Sequence, residues 1–191
     1  MDPREEIPKM DPREEISKYG RKLVASGLTY AHFGNISLLT DEKILITATG
    51  SMLDEIGEGG LIEVDHQAPC PEDALASCEA PVHRAIYERT KARAIIHTHS
   101  PYAVATSILE EGPFEPMDGE GARFLGTVPI VDGDMGSPEL ARSASSALIL
   151  HRACIVRGHG VFAVGATLEE AYIVASMVEH SATIRRLVSV G

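Results

Sequence analysis

Residues 91–102 read KARAIIHTHSPY, and residues 154–165 read CIVRGHGVFAVG. In the first, the apolar run Ala94–Ile96 predicts a strand leading into His97-Thr98-His99. Alternate residues of an extended strand project to one face, so His97 and His99 point the same way, roughly 7 Å apart along the chain. In the second, another apolar run ends at His159, with Gly158 and Gly160 on either side, a composition that lets the backbone bend and approach closely. A bend of that type could deliver a third imidazole to the first two. Three nitrogen ligands that leave a fourth position open is the arrangement of catalytic rather than structural zinc.

Working outward, strand-like and helix-like stretches interleave. Asp11-Pro12 followed by glutamates predicts a capped helix from Pro12 to about Gly27, with Ile16, Leu23, Val24 and Leu28 near helical spacing. Two strands follow, Asn35–Leu39 and Lys43–Thr47, joined by Thr40-Asp41-Glu42 in a hairpin-like turn. Then come a strand at Leu61–Val64, a loop at 65–73, a helix from about Ala76 or Cys78 to Thr90, and the histidine strand from Ala92. Beyond it lie a helix at 101–110, an irregular loop at 111–121, a strand at Thr127–Val131, a helix at 137–150, two strands flanking His159, and a last helix from Leu168 to Val188. The fold class is α/β, and the hairpin-like connections predict a mixed, largely antiparallel sheet.

The chain has 191 residues, 44% of them hydrophobic, and a net charge of -11. That length fits one well-buried domain, read here as residues 11–191. The acidic balance argues against binding nucleic acid or an anionic membrane, whose partners need a basic surface. A phosphorylated small molecule is still compatible, because backbone N–H groups and a metal meet its charge locally. No apolar run is long enough to span a membrane, and the charged N-terminus is unlike a signal peptide, so a soluble cytoplasmic protein is expected. Cys70, Cys78 and Cys154 show no CxxC spacing and are read as reduced thiols. MDPREEI occurs at residues 1–7 and again at 10–16, and residues 1–10 are read as a duplicated extension.

Glu79 and His83 are four residues apart in SCEAPVHRAIYE, on one helical face just ahead of the histidine strand. Glu79 falls in the first turn, where a carboxylate is favoured by the helix dipole, and is the candidate acid/base. His83 is expected to face neighbouring elements rather than a metal. The segments at 27–37 and 46–51 each place glycine, hydroxyl and amide groups in a bend, the composition of a phosphate or carboxylate cradle.

Taken in order, GLTYAHFGNIS, ITATGSMLDEI, CEAPVHRAIY, HTHSPYA and RGHGVFAVG resemble the motifs of the class II aldolase/adducin family, over about residues 12–188. The resemblance implies a three-layer α/β/α domain, usually a homotetramer with sites between subunits. It also implies zinc on His97, His99 and His159, with cobalt, manganese or iron compatible with the same ligands. Glu79 would be the acid/base, and Gly34, Asn35, Thr49, Gly50, Ser77 and Cys78 would hold a substrate phosphate. The implied reaction is reversible cleavage of a ketose 1-phosphate of the fuculose type to dihydroxyacetone phosphate and a short aldehyde. Pentulose-phosphate epimerisation, methylthioribulose-phosphate dehydration and decarboxylation draw on the same site, and adducin represents a non-catalytic use of the fold. The chain departs from the aldolase pattern in three places. Cys78 stands where a second serine is expected. The loop 111–121, EGPFEPMDGEG, lacks the tyrosine proton donor, for which Asp118 or Glu120 is the candidate substitute. A C-terminal tail reaching a neighbouring site is not expected from the residues up to Gly191.

Overall fold

In the computed structural model, which describes residues 10–41 and 43–190, seven strands form one sheet in the order β3-β2-β1-β4-β7-β6-β5. The strands are β1 (Asn35–Leu39), β2 (Lys43–Thr47), β3 (Leu61–Asp65), β4 (Ala94–Thr98), β5 (Ile130–Val131), β6 (Ala153–Val156) and β7 (Gly160–Gly165). Every pairing is antiparallel except β5 with β6, so the sheet is mixed and largely antiparallel, as its hairpins predict.

Six helices cover it: α1 (Pro12–Ala25), α2 (Ala80–Arg89), α3 (Pro101–Leu109), α4 (Gly119–Phe124), α5 (Pro138–Ala147) and α6 (Leu168–Val190). Strand alternation divides the core between two faces. Ile36, Ala94, Ile96, Val161 and Ala163 meet α1, α3 and α6 on one side. Ile44, Ile46, Ile95, Cys154, Phe162 and Val164 meet α2 and α5 on the other. The result is a helix–sheet–helix sandwich. His97 has the parity of Ile95 and stacks on Phe162, with ring centroids 4.3 Å apart, so it emerges on the α2 side of the sheet.

Several elements differ from their sequence-based outlines. α1 starts where expected: Asp11 accepts from the Arg13 N–H at 2.7 Å, and Pro12 occupies the first turn, where its missing N–H costs nothing. α2 begins at Ala80 rather than near Ala76, and Glu79 is its N-cap residue. The loop at 65–73 ends in a 3-10 turn, Pro71–Ala74. The loop at 111–121 gives way to α4, capped by Asp118, whose Oδ2 accepts from the Gly121 N–H at 2.8 Å. β5 is shorter than expected, since Thr127 to Pro129 contribute an isolated bridge between Val128 and Phe114 instead of a continuous strand. The first copy of MDPREEI and the turn residue Glu42 lie outside the described residues.

Candidate active site

His97 is the penultimate residue of β4, and its ring is fully buried. Its Nδ1 lies 3.0 Å from the Val161 carbonyl, which can only accept, so Nδ1 carries the proton and Nε2 presents a lone pair. That lone pair faces Nε2 of His99 at 3.1 Å and Oε2 of Glu79 at 3.2 Å. His99 lies just past the strand end, where its ring stacks on Phe33 with centroids 5.1 Å apart and planes 7° from parallel.

His159 arrives from the turn between β6 and β7. Gly158 makes that turn possible by adopting φ +69°, a conformation open to glycine at little cost. The turn is fastened to the C-terminal end of α3: the Gly158 N–H donates to Ser107 Oγ at 3.0 Å, and the Arg157 guanidinium donates to the carbonyls of Ser107 and Glu110. At its other end α3 begins two residues after His99, and its first N–H groups donate to Glu179 of α6. α3 therefore braces two of the three histidines from one rigid element.

The ligating atoms of His97, His99 and His159 lie within 4.8 Å of one another. Nε2 of His159 is buried without a hydrogen-bond partner, as is Oε1 of Glu79. Burial pushes the basicity of His97 and His99 down to about 3, so both rings are neutral near neutral pH. Three convergent imidazoles, one with its lone pair facing a carboxylate, make a donor set that a divalent cation fits.

Glu79 is 1% exposed. Loss of solvent raises its pKa, against the opposing influence of the Asn35 hydrogen bond and of His159. Oε2 accepts from Asn35 Nδ2 at 2.9 Å, which leaves Oε1 free within the site. Gly34, Asn35, Thr49, Gly50, Ser77 and Cys78 line one cleft of about 100 Å³ together with Glu79, His99 and His159. All six residues expected at a phosphate thus share one cleft with two of the three convergent imidazoles, His99 and His159. At Gly34, φ is +80° and an added Cβ would stand 2.5 Å from the His97 carbonyl oxygen, so only glycine lets the loop close on the histidine strand. Wider hollows of about 660 and 740 Å³ flank α1 but bring together no such ligand set among the described residues.

Asp118 and Glu120 are not at this cleft within one chain. Asp118 spends a carboxylate oxygen capping α4, and Glu120 faces a shallow hollow with Tyr172, Ile173 and His180 of α6. Sequence reasoning also missed the Asn35–Glu79 hydrogen bond, having given Asn35 to the phosphate alone.

The sequence model of the Class II Aldolase and Adducin N-terminal domain family matches residues 14–185. The L-fuculose phosphate aldolase of Methanococcus vannielii is 34% identical over 173 residues, which cover 89% of this chain and 90% of that one. The 3-oxo-tetronate 4-phosphate decarboxylase of Haemophilus influenzae is 30% identical over 159 residues, 80% of this chain and 76% of that one. Among solved structures, the L-fuculose-1-phosphate aldolase of Thermus thermophilus superposes with a TM-score of 0.88 at 38% identity, covering 93% of this chain and 94% of that one.

Proposed function

This chain belongs to the class II aldolase and adducin family, and on that footing we propose that it is a zinc-dependent lyase that reversibly cleaves a ketose 1-phosphate of the fuculose type to dihydroxyacetone phosphate and a short aldehyde. The observation that carries this reading is the meeting, at one cleft, of three convergent imidazoles with a buried carboxylate that keeps one oxygen unpartnered. A non-catalytic role would have no use for such a costly arrangement of buried polar groups. His97, His99 and His159 would hold the cation, which when bound supplies Lewis-acid stabilisation of negative charge developing on substrate oxygens.

The remaining work falls to the chain itself. The loops at Gly34-Asn35 and Thr49-Gly50, with Ser77 and Cys78, hold the phosphate and so place the carbon beside the carbonyl next to Glu79; orientation of that type contributes up to about 10 kcal/mol. In cleavage, the C3–C4 bond breaks, its electron pair passes into the enediolate of dihydroxyacetone phosphate, and the C4 hydroxyl passes its proton to Glu79 to leave an aldehyde. Glu79 then delivers that proton to C3. In synthesis the same carboxylate removes the C3 proton, the carbon attacks the aldehyde, and the proton passes to the new C4 oxygen. Burial raises the Glu79 pKa, the direction that suits a group that must return a proton as well as take one.

A second reading is favoured by the likeness to a 3-oxo-tetronate 4-phosphate decarboxylase. Loss of carbon dioxide from such a substrate breaks the C1–C2 bond and yields the same enediolate, so Glu79 and the imidazoles would serve unchanged. The two are separated by offering L-fuculose 1-phosphate and 3-oxo-tetronate 4-phosphate in parallel and assaying aldehyde against carbon dioxide. Aldehyde release from the first supports the aldolase reading, and carbon dioxide from the second alone would replace it. Residues 11–191 would form one cytoplasmic unit that assembles into a homo-oligomer, a tetramer by family resemblance. No helix among the described residues is long and apolar enough to cross a membrane.

A further inference from the structure

Behind the cleft, side chains of α2 and β1 interlock in a way that the chemistry above does not use. Glu79, His83 and Tyr87 recur every four residues and so share one face of α2. Asn35 and Ser37 are two apart on β1 and project to the α2 side of the sheet. Four helical residues advance about 6 Å and two strand residues about 6.6–6.8 Å, so the two repeats stay in step. The side chains therefore alternate between helix and strand. The Tyr87 hydroxyl lies 2.7 Å from Ser37 Oγ, Ser37 Oγ 2.7 Å from His83 Nδ1, His83 Nε2 2.6 Å from Asn35 Oδ1, and Asn35 Nδ2 2.9 Å from Glu79 Oε2. All five residues are buried.

One end of this chain fixes the direction of every bond in it. A carboxylate only accepts, so the NH2 of Asn35 must face Glu79 and its carbonyl must face His83. His83 Nε2 must then donate. The ring is fully buried and its pKa falls to about 3, so it is neutral, and Nδ1 must accept from the Ser37 hydroxyl. Ser37 Oγ in turn accepts from Tyr87. Each of the four contacts is then a hydrogen bond, and no alternative orientation satisfies all four.

We propose that Tyr87, Ser37 and His83 are positioning residues: through the Asn35 amide they tie back Oε2 of Glu79 and present Oε1 to the substrate. The geometry stands independently of the reaction, while its consequence for turnover rests on the enediolate reading above. Without the chain behind it, the Asn35 amide is free to turn its carbonyl toward Glu79, and the carboxylate loses both its tether and its aim.

The test has two arms, both on zinc-loaded full-length protein. In the first, long-range proton–nitrogen NMR correlations of the histidine rings read the His83 tautomer, which is expected to carry its proton on Nε2 with Nδ1 bare. In the second, deuterium exchange into dihydroxyacetone phosphate is followed in Ser37→Ala and Tyr87→Phe. The maximal rate should fall about tenfold in Ser37→Ala, as is typical on loss of an outer-shell partner, and by less in Tyr87→Phe. Half-saturating dihydroxyacetone phosphate and zinc stoichiometry should not move. A proton on Nδ1, an unchanged rate in both variants, or a loss expressed as zinc content or half-saturation would each overturn the proposal. If Ser37→Ala fails to fold, Tyr87→Phe decides. If the unaltered protein shows no exchange, the functional reading falls, and the tautomer alone then decides the positioning chain.

Discussion

Nε2 of His97 stands 3.1 Å from Nε2 of His99, while Nδ1 of His97 is committed to the Val161 carbonyl. With Glu79 Oε2 3.2 Å from the same His97 nitrogen and His159 within 4.8 Å of both rings' ligating atoms, the three imidazoles form a set that could hold a cation. His159→Ala should therefore lower zinc to well below one per chain. A ligand present at a hundred times its Kd stabilises a fold by about 2.7 kcal/mol, so the zinc-induced rise in Tm should also disappear. Full zinc content with an unchanged thermal shift, by metal analysis and calorimetry, would contradict the assignment.

Gly34 joins the cleft loop to the histidine strand beside the pairing of Asn35 with His97. Gly34→Ala would hold a non-glycine residue at φ +80° and press its Cβ against the His97 carbonyl. The left-handed conformation alone costs about 1–2 kcal/mol. Urea unfolding should show at least that loss, and dihydroxyacetone phosphate exchange should fall with it.

Cys78 offers a thiol at the cleft, and desolvation together with the nearby Glu79 raises its pKa, so it stays protonated. A thiol is a weak donor. Cys78→Ser should lower half-saturating dihydroxyacetone phosphate by about threefold or more, the equivalent of part of one net hydrogen bond. The maximal rate should change little.

Burial lowers the His83 pKa from 6.5 to about 3. Below pH 6.5 the unfolded chain binds a proton that the folded chain refuses, so stability is lost as pH falls from 6.5 toward 3. Metal-free protein should melt at progressively lower temperature over that range. A Tm that holds steady or rises on acidification would contradict the buried neutral ring.

Asp118 caps α4 away from the cleft. Asp118→Ala should reduce stability by about 1 kcal/mol, as expected for a lost N-cap. Exchange into dihydroxyacetone phosphate should continue at its original rate.

The parts legible in sequence were those set by neighbours along the chain. β1 and β2 match their expected bounds because NISLL and KILIT flank a short polar turn. The three histidines were legible because each frame couples an apolar strand to a local break. α4 was not, since Gly119 and Gly121 weaken its helical preference, and the helix depends on the Asp118 cap and packing against α6. The start of α2 was placed too early because Ala76 to Glu79 suit a helix, yet a bridge pairs Ala76 with Ala48, and Cys78 and Glu79 turn before the helix begins at Ala80. The Asn35–Glu79 bond joins residues 44 apart. It depends on how α2 lies over β1, which no local pattern specifies.

The most direct test of the central claim is deuterium incorporation at the hydroxymethyl carbon of dihydroxyacetone phosphate in D2O, followed by NMR, with zinc-loaded protein, chelated protein and Glu79→Gln. Zinc-dependent exchange that falls by about a hundredfold or more in Glu79→Gln at unchanged zinc content is the predicted result, in the range general acid–base catalysis contributes. Equal exchange in Glu79→Gln, or none by fully metallated, folded protein, would contradict the account.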